Sequence, residues 1–213
     1  MAQPESNFKN MFLALFGVTF VAAAILGLVN EGTKTAIARA DIEQQDLAIA
    51  TILPPFTYLG KSYKSLPKDE KDSLQFFPAF GKDSALVGTA VKTYSKKGFS
   101  GLVTVMVGFT TEGNISGFRV LEHKETPGLG SRMYNWFSDK NKPKQNVIGT
   151  NPDKSNFMVM KDGGSFDAIT AATISSRAFL ESIRRAYDTW KSEKALNAPT
   201  TVKAGPTKKG GNQ

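Results

Sequence analysis

Residues Phe166 to Ala178 read FDAITAATISSRA, and the fold depends on whether this stretch is helix throughout or a turn that opens into one. Thr170, Ala171, Ala172 and Thr173 are small, and threonine and isoleucine are poor residues for a helix interior. Further on, Phe179, Ile183, Tyr187 and Trp190 recur at helical spacing, so the pattern predicts a helix over Ser175–Lys194 that buries one stripe. The small residues then make a tight turn leading into the helix start. Such a start leaves the N–H groups of Ile174 to Arg177 without intrahelical partners. With the helix dipole they suit a phosphate, and Arg177 can add charge. A simple N-cap by Thr173 or Ser175 accounts for the same polar residues without any ligand. These residues by themselves leave both readings open.

Upstream, Ala85 to Tyr94 alternates as a strand does. Leu102 to Phe109 (LVTVMVGF) and Ile115 to Glu122 are two more strands, joined by Thr111-Glu112-Gly113-Asn114, a clear hairpin signal. Directly after the second comes Glu125-Thr126-Pro127-Gly128-Leu129-Gly130. Proline and two glycines let the backbone fold tightly and expose amides that a side chain would cover. The loop is either an ordinary turn or a ligand loop, and it lacks the spacing of a dinucleotide or P-loop fingerprint. Phe56 to Asp83, punctuated by Lys, Pro and Asp, reads as loop with short strands. Thr35 to Leu53 reads as a separate helix with Ile37, Ala40, Ile42, Leu47, Ala50 and Leu53 on a broad apolar face, stopped by Pro54-Pro55.

From Met11 to Val29 (MFLALFGVTFVAAAILGLV) the chain carries no charge and is almost wholly apolar. About 19 residues at about 1.5 Å each approach the roughly 30 Å of a bilayer core. A cleaved signal peptide is the competing reading, with Ala38-Arg39-Ala40 as its site. Its apolar core would be unusually long and the cut unusually distant, so an uncleaved membrane anchor is expected. Lys9 precedes the span, while Lys34 and Arg39 follow it among Glu31 and Asp41, so charge alone does not orient it.

The formal net charge of the 213 residues is +8, from 27 Lys and Arg against 19 Asp and Glu. The chain has no cysteine, which excludes disulfides, thiolate metal sites and cysteine nucleophiles. His123 is its one histidine, which excludes a multi-histidine metal site. Much of the positive charge falls in Lys96 and Lys97, in Lys140, Lys142 and Lys144, and in Lys203, Lys208 and Lys209. It lacks the fold signature or exposed aromatics of nucleic-acid binding. A solvated surface facing acidic partners or lipid headgroups is expected instead. The segment from about 196 to 213, rich in Pro, Gly, Thr and Lys, is expected to be a disordered basic tail.

Asp167-Ala168-Ile169-Thr170-Ala171-Ala172-Thr173 resembles the flavinylation motif of the bacterial FMN-binding domain family, with Thr170-Ala171 where Ser-Gly is commoner. Glu125 to Gly130 resembles that family's second signature. With one N-terminal span and a compact domain, the chain is similar to the G subunits of Rnf (Rsx) electron-transport complexes. The resemblance implies an α+β fold: a short segment over 1–10, a transmembrane helix over 11–29, and one FMN-binding domain over 30–195 with an antiparallel sheet and flanking helices. It implies FMN joined covalently to Thr173 through a phosphoester. No histidine or cysteine is expected beside that hydroxyl to act as base, so a separate flavin transferase would attach it, using FAD as donor and releasing AMP. Asp167 and Thr170 would be read by that enzyme or shape the turn, with Ala171, Ala172, Ile174, Ser175 and Ser176 framing the phosphate. Glu125, Thr126, Gly128, Leu129 and Gly130 would face the isoalloxazine, Thr126 by polar contact and Leu129 by packing. His123 and Glu125 are candidates to tune the ring, or in the case of His123 to end a strand. Trp136 and Phe137 either cover the flavin or enter the core. The implied role is electron relay in an ion-translocating ferredoxin:NAD oxidoreductase. The chain would be a single-pass protein of the cell inner membrane, its domain on the periplasmic or outer face, with other membrane subunits as partners. Related readings are the C subunit of the sodium-pumping NADH:quinone reductase, another flavinylated extracytoplasmic domain, or a cofactor-free anchored binding module.

Overall fold

The computed structural model describes residues 7–68 and 70–196; the expected basic tail from 197 onward lies outside the described residues. Of the described residues, those up to 47 form one compact unit, and those from 48 a second. The first is helical, and its helix α1 runs unbroken over Phe8–Ile52. The expected separate helix at Thr35 is therefore the continuation of the apolar one. Polar residues do not end it because they bond back along the helix: Thr33 Oγ1 donates to Val29 O at 2.8 Å, as Thr19 Oγ1 does to Leu15 O. The helix is long and apolar enough to cross a membrane. The expected broad face is corrected too. Ile37, Ile42, Leu47 and Ala50 are exposed, and burial is confined to Ala48, Ile49 and Ile52, with Leu53 just beyond.

The second unit is built on an antiparallel sheet of β1 (Tyr58–Leu59), β2 (Tyr63–Ser65), β3 (Leu74–Phe80), β4 (Leu86–Gly98), β5 (Gly101–Thr110) and β6 (Ile115–His123). The order is β1-β3-β4-β5-β6, with β2 also paired to β3. A short helix α2 (Met133–Phe137) and the long helix α3 (Thr173–Leu196) follow. The sheet with its flanking helices is the expected α+β arrangement.

Register explains how the sheet takes a helix on each face. Phe76, Val91, Val107 and Phe118 align across four strands, and all four belong to the main core with Phe179 and Ile183 of α3. Phe179 stacks on Phe137 at 4.5 Å and meets Phe118 edge-on at 4.9 Å. On the other face the next row is Phe77, Ala90, Gly108 and Gly117. Three of these four are small because the last turn of α1 lies on them. A Cβ on Gly117 would stand 2.9 Å from Ile52 Cα, and one on Gly108 2.9 Å from Ile52 O. That carbonyl also accepts the Ser116 hydroxyl at 2.6 Å. Strand β3 is thus buried on both faces, so Phe76-Phe77 shows no alternation, and Pro78 further masks it. This is why a core strand reads from sequence as loop.

Candidate functional site

The turn before α3 is closed by the Ala172 N–H to Ile169 O at 2.9 Å, with Ala171 in the left-handed region at φ 60°. Alanine occupies that region at a cost, which glycine does not incur. Ser176 fastens the turn from below. Its fully buried Oγ accepts the Ile169 N–H at 2.9 Å and donates to Ala172 O at 3.0 Å. The helix begins at Thr173, so Ala172, which has no side-chain oxygen, precedes it. Neither expected cap forms: the Ser175 hydroxyl is given to Glu125 Oε2 at 2.5 Å instead. Thr173 is half-buried at the first helical residue, and among the described residues its hydroxyl has no hydrogen-bond partner.

Glu125 is the centre of the arrangement. It is 5% exposed and sits at the start of the loop after β6. Its Oε2 holds Ser175, its Oε1 accepts the Ser100 N–H at 3.2 Å from the β4–β5 hairpin, and its own N–H donates to His123 Nδ1 at 3.2 Å. His123 Nδ1 thus accepts a hydrogen bond from the loop, a strand-end structural contact. Beyond Glu125, the turn Thr126-Pro127-Gly128-Leu129 closes by the Leu129 N–H to Thr126 O at 3.2 Å, with Gly128 at φ 76°, a conformation suited to proline followed by glycine. Gly130 packs against the helix start. A Cβ there would collide with Ser175 Oγ and stand 2.7 Å from Glu125 Oε2.

These elements enclose a half-open cleft of about 380 Å³, within the roughly 300–1,000 Å³ of ligand sites. Glu125, Thr126, Leu129 and Gly130 of the loop line one side, and Ala171 to Ser175 the other. Phe99, at the tip of the β4–β5 hairpin, completes it. Phe99 is not among the residues expected from sequence, although a large apolar residue between Gly98 and Gly101 in a tight hairpin is a usable signal. The other named residues lie outside the cleft. Gly128 and Thr170 are exposed beside it, and Ser176 is buried beneath it. Asp167 anchors the segment by its backbone, donating to Lys144 O at 2.8 Å and accepting the Trp136 indole N–H at 3.0 Å. Trp136 is committed to that bond and Phe137 to the core. Arg177 is turned away from any phosphate, because it forms a two-pronged pair with Asp162 at 2.7 Å on both arms. Hydrogen bonding to that guanidinium holds the Asp162 carboxyl below the usual carboxylate range.

The residues fit a flavin mononucleotide. The Ser176 N–H, expected to be free, is given to Ala172 O at 3.0 Å, so the N–H groups of Ile174 and Ser175 with the half-exposed Thr173 hydroxyl would form a phosphate end, while exposed apolar side chains at Phe99, Leu129 and Ile174 would take a flat ring. The fold and the cleft thus define a flavin-binding domain on an apolar N-terminal helix. The model of the FMN-binding domain family matches residues 98–188, which run from Gly98 of the hairpin into α3 and take in the whole cleft. The G subunit of the ion-translocating oxidoreductase complex of Erwinia tasmaniensis is 32% identical over 188 residues, covering 81% of this chain and 84% of that protein. The corresponding G subunit of Shewanella amazonensis is 33% identical over 201 residues, covering 85% and 86%. The chain belongs to the family of G subunits of ion-translocating oxidoreductase complexes. The crystal structure of Shewanella oneidensis NqrC aligns with a TM-score of 0.43 and 25% identity over 60% of this chain and 62% of that one.

Proposed function

We propose that the chain is the flavin-bearing, membrane-anchored subunit of an ion-translocating ferredoxin:NAD oxidoreductase, with FMN joined to Thr173 Oγ1. The observation that carries this reading is the Thr173 hydroxyl, half-exposed at the start of α3 in a cleft shared with the second signature loop. The acceptor is a weak nucleophile, and among the described residues no histidine lines the cleft to act as its base. A flavin transferase therefore activates it. The bond formed joins Thr173 Oγ1 to the FMN phosphorus of FAD, the pyrophosphate bond breaks, the hydroxyl proton leaves, and AMP departs. The N–H groups of Ile174 and Ser175 would then hold the phosphate oxygens, and the helix dipole favours their charge. Thr126, Leu129 and Ile174 orient the ring from the two walls. When bound, FMN supplies one- and two-electron redox chemistry, while the protein sets its position and surroundings.

The apolar stretch 11–29 of α1 anchors the chain in the inner membrane, with the rest of that helix and the unit from 48 on the periplasmic or outer face. There a covalent bond keeps the cofactor from being lost where no flavin pool replaces it. Other membrane subunits of the complex are its electron-transfer partners. The test is co-expression with a flavin transferase, followed by denaturation and intact-mass measurement. A gain of one FMN less one water is expected for the native chain and for Thr173→Ser, and none for Thr173→Ala. An unmodified native chain overturns the assignment.

A further inference from the structure

The geometry points to Phe99 as the residue that covers the flavin ring, set in place by Glu125 acting as a clamp; this rests on the flavin assignment above. Phe99 lies outside both recognised motifs, yet it is the largest apolar side chain lining the cleft. It is 68% exposed, whereas Phe76, Phe109, Phe118, Phe137, Phe157 and Phe179 of the same domain are all fully buried. Leu129 at 38% and Ile174 at 45% are exposed on the same cleft. Three apolar side chains from three separate elements thus converge on one concave surface, and a planar aromatic ligand would shield all three.

The hairpin that carries Phe99 is fixed at two points. At its base, the Ser95 hydroxyl donates to Glu181 Oε2 of α3 at 3.0 Å, and Lys97 Nζ pairs with Glu181 Oε1 at 3.0 Å. At its tip, the Ser100 N–H donates to Glu125 Oε1. Gly98 and Gly101 permit that second contact. A Cβ on Gly98 would stand 2.5 Å from Glu125 Oε1, and Gly101 turns the chain at φ 103°. Because the other oxygen of the same carboxylate holds Ser175, two residues after Thr173, Glu125 sets the phenyl ring relative to the attachment point. Phe99 is thus a ring-covering residue and Glu125 a positioning residue.

The test uses the full chain flavinylated in vivo, with the covalent adduct counted by mass. An indole stacked on a flavin quenches its emission, so Phe99→Trp is expected to lose most of the flavin fluorescence of the folded protein and to regain it on denaturation. Phe99→Trp combined with Glu125→Gln is expected to recover part of the emission per covalent flavin, with unchanged circular dichroism. Emission from Phe99→Trp equal to the native protein's, with full adduct present, overturns the role of Phe99 and leaves the attachment intact. Quenching that Glu125→Gln does not relieve overturns the clamp. If the native chain carries no adduct, the flavin assignment falls and this inference falls with it.

Discussion

Glu125 and Ser175 stand 50 residues apart in the chain and share a buried hydrogen bond of 2.5 Å. It links the loop after β6 to the first turn of α3, and both elements line a single cleft. Ser175 is 1% exposed and Glu125 5%, and water does not readily replace either partner. Removing the hydroxyl leaves a buried carboxylate oxygen without its donor, at a cost of about 1–3 kcal/mol. Ser175→Ala should lower the unfolding free energy of the unflavinylated protein by that amount, measured in urea. A change within error would mean that the carboxylate finds another donor.

Ala171 gives the opposite expectation. At φ 60° its Cβ is strained by about 1–2 kcal/mol. Glycine removes the strain but costs about 0.4–1 kcal/mol of unfolded-state entropy. Ala171→Gly should therefore be neutral to stabilising by up to about 1.6 kcal/mol. Ala171→Val, branched at Cβ in a region such residues avoid, should destabilise and reduce flavinylation in the same co-expression assay.

Acid should reveal the Arg177–Asp162 pair. The guanidinium lowers the Asp162 pKa in the folded state, so the pair's contribution is present above the ordinary aspartate range and is lost as pH falls through the lowered folded value. Native protein should thus lose more stability than Asp162→Asn between neutral pH and about pH 3. The pair is exposed, so the difference should be small and should shrink in high salt.

Base should reveal Tyr187. Burial first, and then its hydrogen bond to Asp153 at 2.9 Å, push its hydroxyl up to about 12. A raised folded value stabilises the protein below the ordinary tyrosine pKa of about 10, and that contribution is lost as pH rises through about 12. In an ultraviolet tyrosinate titration, Tyr187→Phe should remove a late step near that pH.

What is legible in the sequence follows from how local each feature is. The β5–β6 hairpin shows because Gly113 turns at φ 86° within a short connection. The α3 stripe shows because Phe179, Ile183, Tyr187 and Trp190 face a single core and are all buried. Strand β3 is hidden because both its faces are covered, and the end of α1 because only its last turn meets the sheet. The site divides in the same way. Its two signatures are local patterns, but Glu125 as the joint between them depends on contacts 25 and 50 residues away. Arg177 looks free for a phosphate in the sequence because Asp162, 15 residues back, is brought to it only by the folded loop. Phe99 belongs to neither signature and enters the cleft through the pairing of Gly98 with Gly101.

Gly130 is where the joint leaves least room. Its backbone has no need of a positive φ, so glycine is required there for space alone. A methyl group at that position would meet Ser175 Oγ, Glu125 Oε2 at 2.7 Å and Glu125 Cβ at 2.9 Å. None of these is the free end of a flexible side chain, because the hydroxyl and the carboxylate are bonded to each other. Gly130→Ala must therefore push the loop from the helix or break the Glu125–Ser175 bond, and should cost about 1–3 kcal/mol by overpacking. The two outcomes separate when Gly130→Ala is combined with Ser175→Ala. Ser175→Ala removes both the bond and the nearest clashing atom, so the double variant should be no less stable than Gly130→Ala by itself; full additivity would show that Glu125 alone resists the methyl and that the loop moves as a unit. Thermal unfolding of the four proteins, read by circular dichroism, completes the cycle.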